Sequence, residues 1–110
     1  NVTKDSPVFK EEIFGPLMPV LVFETTKEAI EMANNTEYGL AAYIWTNNLN
    51  TAIKVSEAVE FGIVGINEWT PHATEAPFGG MKQSGQGSEL GHDGIFEYME
   101  KKLISIGGLS

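Results

Sequence analysis

Residues 40–66 read LAAYIWTNNLNTAIKVSEAVEFGIVGI, and the fold turns on how this stretch divides. Leu40-Ala41-Ala42-Tyr43-Ile44-Trp45 is an apolar run of strand length, and Ile63-Val64-Gly65-Ile66 is a second one rich in β-branched residues. Between them Asn47 and Asn48 offer a helix cap, Ala52, Val55 and Val59 fall on one helical face, and Gly62 closes the helix. Two strands joined by such a helix predict a parallel pair with a right-handed crossover.

The same alternation extends upstream. Pro16-Leu17-Met18-Pro19 punctuates the chain before Val20-Leu21-Val22-Phe23, which reads as a buried strand. Thr25 and Glu28 have capping-box spacing, and Ala29, Ile30 and Ala33 give the helix that follows its apolar stripe, with Gly39 beyond its end. Strand, helix, strand, helix, strand predicts an α/β fold with a parallel βαβαβ core. Downstream the periodicity fails. Residues 67–94 are irregular and dense in glycine (Gly79, Gly80, Gly85, Gly87, Gly91, Gly94), a length of loop that compact domains keep for function or leave disordered. Residues 95–99 suit a helical turn, and Lys102, Ile104 and Ile106 alternate with Leu103 and Ser105 as an exposed or edge strand does.

The 110 residues carry fifteen acidic and seven basic side chains, a formal charge of −8, so nucleic acid and anionic membrane surfaces are not expected partners. Every basic residue is lysine, so the chain has no planar guanidinium fork for a phosphate or carboxylate. With no cysteine, disulfides, thiolate metal sites and a cysteine nucleophile are excluded in this chain, and the composition favours an intracellular, cytoplasmic origin. No apolar run reaches membrane-spanning length. The chain opens on Asn1 with no signal-like segment and reads as a piece of something longer. The triplets Asn1-Val2-Thr3 and Asn34-Asn35-Thr36 match the glycosylation sequon and read as chance matches.

Among chemistry-bearing residues, Gly79-Gly80-Met81-Lys82-Gln83-Ser84-Gly85-Gln86-Gly87 lacks phosphate-loop spacing and follows no predicted strand, which makes it a tightly turning loop. Glu11-Glu12-Ile13-Phe14-Gly15-Pro16 sets two carboxylates beside an aromatic ring, as a solvated pair or as an acceptor for a ribose diol. His72 and His92 lack the spaced partners a metal needs, so no metal site is expected. Trp69 and Phe78 suit core packing or, alternatively, a pocket wall.

Taken in order, Glu11-Glu12-Ile13-Phe14-Gly15-Pro16, Tyr38-Gly39-Leu40-Ala41-Ala42, Gly65-Ile66-Asn67 and Pro77-Phe78-Gly79-Gly80-Met81-Lys82-Gln83-Ser84-Gly85 resemble the C-terminal part of an NAD(P)-dependent aldehyde dehydrogenase. The resemblance runs over residues 1–107, and Lys82-Gln83-Ser84-Gly85 is most similar to the succinate-semialdehyde branch. It implies that residues 1–94 are the end of a catalytic domain and that residues 95–110 hold a helical turn and an oligomerisation strand. It also implies oxidation of an aldehyde, with succinate semialdehyde suggested, to a carboxylate with NAD or NADP. In that family a cysteine captures the aldehyde and a glutamate acts as base; the motifs carrying both are not in this chain, so the chain alone is expected to be inactive. The expected partners are the rest of the parent enzyme and a small aldehyde, in a homodimer or homotetramer.

By motif, Glu12 matches the residue that holds the nicotinamide-side ribose and Phe14 the aromatic that packs against the nicotinamide. Phe78 matches an aromatic lining the substrate tunnel, and Glu89 a buried glutamate supporting the general base. His72 lies near a loop position that, in the succinate-semialdehyde branch, grips the substrate's far carboxylate. Ser88 stands where the family usually has arginine, which removes a charge partner beside Glu89. A reading of different class is a free-standing acidic α/β module that binds a partner and performs no chemistry.

Overall fold

A computed structural model describes residues 2–3 and 5–108. The Asn1 sequon lies outside the described residues. A single turn, α1 (Pro7–Lys10), begins on proline, whose fixed φ suits a first helical turn. Then come α2 (Thr26–Asn34), β1 (Tyr38–Gly39), β2 (Ala41–Ile44), α3 (Leu49–Ala58), β3 (Ile63–Ile66), β4 (Met81–Lys82) and a 3-10 helix over Asp93–Tyr98.

Both long helices start where local chemistry dictates. The Thr25 hydroxyl accepts from the Glu28 N–H at 3.1 Å, while the Glu28 carboxylate reaches back to the Glu24 N–H at 3.0 Å. This is a capping box shifted one residue outward. Asn48 Oδ1 accepts from the Thr51 N–H at 2.9 Å and caps α3. From there α3 crosses between β2 and β3, which pair in parallel with Ala41 opposite Ile63 and Ile44 opposite Ile66. Among the described residues Ala52, Val59 and Ile63 are the buried apolar side chains, all within this βαβ unit.

Among the described residues one parallel pair forms, a βαβ unit, beside a separate two-stranded antiparallel pair, β1 with β4, and the third strand of the expected βαβαβ core is not seen. Residues 20–23 join no ladder among the described residues, and Val22 is 87% exposed. A strand needs a neighbour's N–H and C=O groups, and here none is presented to it. The terminal stretch 101–106 likewise pairs with nothing among the described residues, and Leu103 is 93% exposed.

The surface as a whole has the same character. The chain exposes 9180 Å² with a radius of gyration of 19.5 Å. A self-contained domain of this mass exposes about 6,000 Å² and has a radius near 13 Å. The excess carries Phe14, Met18, Val22, Tyr98, Leu103 and Ile104, side chains that a finished domain covers.

Candidate functional site

The site is built around the glycine-rich loop. Phe78 and Glu89 form an isolated antiparallel bridge: the Phe78 N–H donates to Glu89 O at 2.7 Å and the Glu89 N–H to Phe78 O at 2.8 Å. Eleven residues apart in sequence, the two expected site residues thus become neighbours at the base of a closed loop. Leu40, Phe78, Ser88, Glu89, Glu97 and Tyr98 line an open cavity of about 410 Å³ there, with the loop glycines as its floor.

Close backbone approach makes the loop possible. A Cβ on Gly62, the residue just before β3, would collide with the carbonyl oxygen of Gly79 and lie 3.1 Å from the Gly80 Cα. Only hydrogen at Gly62 lets the loop lie against the βαβ unit. At Gly87, where φ is +92°, the Glu97 carboxylate would sit 3.1 Å from an added Cβ. Glu97 Oε1 accepts from the Ser88 N–H at 3.2 Å, so the 3-10 helix pins the loop's return limb.

The loop's tip is fastened on the other side. Tyr38 pairs with Lys82 and Gly39 with Met81, the Gln83 N–H donates to Glu37 O at 2.8 Å, and Ser84 Oγ accepts from the Gly39 N–H at 2.9 Å. Lys82 adopts φ +56° and sends its ammonium to Asn34 O at 2.9 Å, Thr36 O at 3.2 Å and Glu60 Oε2 at 2.6 Å. Asn34 then ties the ends of the two helices together, its Nδ2 donating to Ala58 O at 2.9 Å and its Oδ1 accepting from the Glu60 N–H at 2.8 Å. With both amide atoms engaged, Asn34 is not free to carry a glycan without breaking that tie.

A second cluster forms at the carboxyl ends of β2 and β3. Asn67, at φ +56°, clasps the backbone of Thr46: its Oδ1 accepts from the Thr46 N–H and its Nδ2 donates to Thr46 O, each at 2.9 Å. The clasp brings Trp45 and Trp69 to a ring separation of 4.9 Å, with Tyr43 6.3 Å from Trp69. Trp69 packs on these rings rather than in a core and stays 75% exposed. His72, three residues on, is exposed and apart from the cavity lining.

Glu12 and Phe14 lie on the extended segment after α1, away from the cavity, and Phe14 is 95% exposed. Among the described residues nothing engages the Glu12 carboxylate. A carboxylate with nothing engaging it offers a hydrogen-bond acceptor to a ribose diol, and the open ring two residues on offers a face to a planar nicotinamide, so these residue types are compatible with the coenzyme. They supply one wall only. Glu89, matched to a buried glutamate, is exposed here, with nothing among the described residues covering it. Among the described residues no cluster of three metal-ligating side chains occurs, and no helix is long and apolar enough to cross a membrane.

Glu97 and Asn67 are site-building residues to which the sequence reading gave no role, Asn67 being quoted only within a motif. Glu97 sits in a short acidic stretch that looks merely solvated, and Asn67 looks like a strand-ending polar residue. For Asn67 the available signals were its place in the Gly65-Ile66-Asn67 motif and an asparagine directly after a strand-like run, since asparagine tolerates the left-handed conformation better than other non-glycine residues.

Comparison with known proteins fixes the class to which this fold and loop belong. The model of the aldehyde dehydrogenase family matches residues 1–104, and the chain belongs to that family. Among its relatives, the mitochondrial succinate-semialdehyde dehydrogenase of Oryza sativa subsp. japonica is 49% identical over 110 residues, which is 100% of this chain and 21% of that protein. The crystal structure of succinate-semialdehyde dehydrogenase from Burkholderia pseudomallei superposes with a TM-score of 0.84 at 47% identity, covering 88% of this chain and 20% of that one. The NAD+ complex of an aldehyde dehydrogenase from Bacillus cereus gives a TM-score of 0.87 at 49% identity over 91% of this chain and 20% of that one. The chain therefore spans about a fifth of the length of the relatives it matches.

Proposed function

We propose that this chain is the C-terminal segment of the catalytic unit of an NAD(P)-dependent aldehyde dehydrogenase, with succinate semialdehyde as the suggested substrate. The observation that supports the proposal is the Phe78–Glu89 backbone bridge, which brings to one cavity the two residues read as a tunnel aromatic and a supporting carboxylate. The bound coenzyme supplies the acceptor for a hydride. Glu12 would accept hydrogen bonds from the nicotinamide-side ribose, and Phe14 would pack against the nicotinamide, where small errors of geometry cost rate steeply. Phe78 shapes the path of the aldehyde, with His72 positioned toward the far end of the substrate, and Glu89 supports proton removal by the base. The capturing thiol comes from outside this chain, which has no cysteine.

The exposed apolar surface supports the assignment to a larger assembly, with residues 1–94 completing the catalytic domain and residues 95–110 carrying a strand that pairs across a subunit boundary in a homodimer or homotetramer. The partners are the remainder of the enzyme and a small aldehyde, and the location is cytoplasmic. The test is steady-state kinetics of the full-length protein with a panel of aldehydes and both coenzymes. Aldehyde-dependent reduction of NAD or NADP is expected, and no reduction with any aldehyde would overturn the reading.

A further inference from the structure

We infer that Lys82 is a positioning residue for the aldehyde side of the site, acting through the loop it fastens. This rests on the function proposed above. An ammonium has three N–H donors, and at Lys82 three acceptors meet it: Asn34 O, Thr36 O and a Glu60 carboxylate oxygen. The Lys82 side chain is 24% exposed and that of Glu60 57%, so the cluster lies at the surface with the lysine as its more covered member. Two of the acceptors are carbonyls at the C-terminal end of α2, where a cation meets the negative end of the helix dipole. The third follows α3, and Asn34 joins the same two helix ends.

Lys82 therefore connects the loop's tip to the rigid part of the chain, while the Phe78–Glu89 bridge closes the loop's base. Between tip and base the loop presses on Gly62, so it has little room to relax without moving. Releasing the tip lets Phe78 and Glu89 shift as a pair. The coenzyme-side residues Glu12 and Phe14 belong to a different segment with no bond to the loop among the described residues, and they stay in place.

The experiment compares full-length wild type with Lys82→Met, which keeps the stem length and removes the ammonium. Hydrogen exchange of amides in residues 79–88 is expected to quicken about tenfold or more, with α3 unchanged. In parallel, kcat/KM for the aldehyde should fall about ten- to a hundredfold per titrated active site, while KM for the coenzyme moves less than about twofold. Lys82→Arg keeps the charge and should recover part of the loss, though its planar fork cannot reproduce three bonds from one nitrogen. Unchanged exchange in the loop overturns the inference. So does a loss in which aldehyde and coenzyme parameters decline together, or one explained wholly by fewer active sites, since either marks a merely structural residue. If the wild-type protein oxidises no aldehyde, the proposed function fails, and the exchange measurement still decides Lys82. If Lys82→Met yields no soluble protein, Glu60→Gln serves instead: it should quicken exchange in residues 79–88 at least about twofold, and no change overturns the inference.

Discussion

Replacing Asn67 by alanine and by glycine separates two contributions that coincide at one residue. Asn67 makes two side-chain hydrogen bonds to Thr46, each 2.9 Å, and it holds φ +56° while its own N–H donates to Ile44 O at 2.8 Å. The bonds lie in an exposed turn, so each contributes at the low end of the usual range, about 0.5–1 kcal/mol, or about 1–2 kcal/mol for the pair. The left-handed backbone costs alanine about 1 kcal/mol that glycine does not incur. Local opening at the carboxyl ends of β2 and β3 should therefore become easier by about 2–3 kcal/mol in Asn67→Ala and about 1–2 kcal/mol in Asn67→Gly. Native-state hydrogen exchange at the amide of residue 67, which donates to Ile44 O, and at the Ile44 amide of the full-length protein reads this as roughly 30- to 150-fold faster exchange for alanine and roughly 5- to 30-fold for glycine. Near-ultraviolet circular dichroism should lose the signal of the Trp45–Trp69 pair in both. Wild-type exchange in both variants would refute the clasp, and equal effects would refute the backbone share of the argument.

Other outcomes follow from the same structure. This chain alone should show no NAD(P)-linked aldehyde oxidation, because it holds no cysteine; turnover by a preparation whose mass confirms homogeneity would contradict that. In the full-length enzyme, Glu12→Gln should lower turnover or coenzyme affinity roughly ten- to a hundredfold, since it weakens a charged acceptor for a ribose diol worth about 1.5–3 kcal/mol, and wild-type kinetics would return Glu12 to the role of a solvated surface residue. Ending the full-length chain before Lys101 should change the oligomer seen by light scattering; a native oligomer from that truncation would remove the bridging role of residues 101–106.

What could be read in advance was what depends on near neighbours. Thr25 and Asn48 cap their helices with groups three residues away, and Ala52 and Val59 lie on a face that periodicity alone defines. The parallel pairing of β2 with β3 follows from a crossover whose ingredients are contiguous. The motif residues Phe78 and Glu89 were legible by resemblance, but their mutual pairing was not, because an isolated bridge leaves no periodic trace. The Lys82 contacts span 46 and 48 residues and depend on backbone carbonyls, which every residue has and no sequence pattern marks. Residues 20–23 remain unpaired for a different reason. Composition reports the capacity to be a strand, whereas pairing requires a neighbour that only the fold provides.

That unpaired run bears on how the polypeptide survives between synthesis and assembly. Val20-Leu21-Val22-Phe23 is short, uncharged and β-prone, the kind of segment that templates intermolecular stacking while it waits for its place. Pro19 on one side has no N–H to extend a cross-chain ladder, and Glu24 on the other adds a charge that stacked copies would have to crowd together. A formal charge of −8 adds general repulsion between unassembled chains. Pro19 and Glu24 thus act as gatekeepers of this apolar segment, and replacing either should raise the yield of insoluble aggregate without altering the native fold.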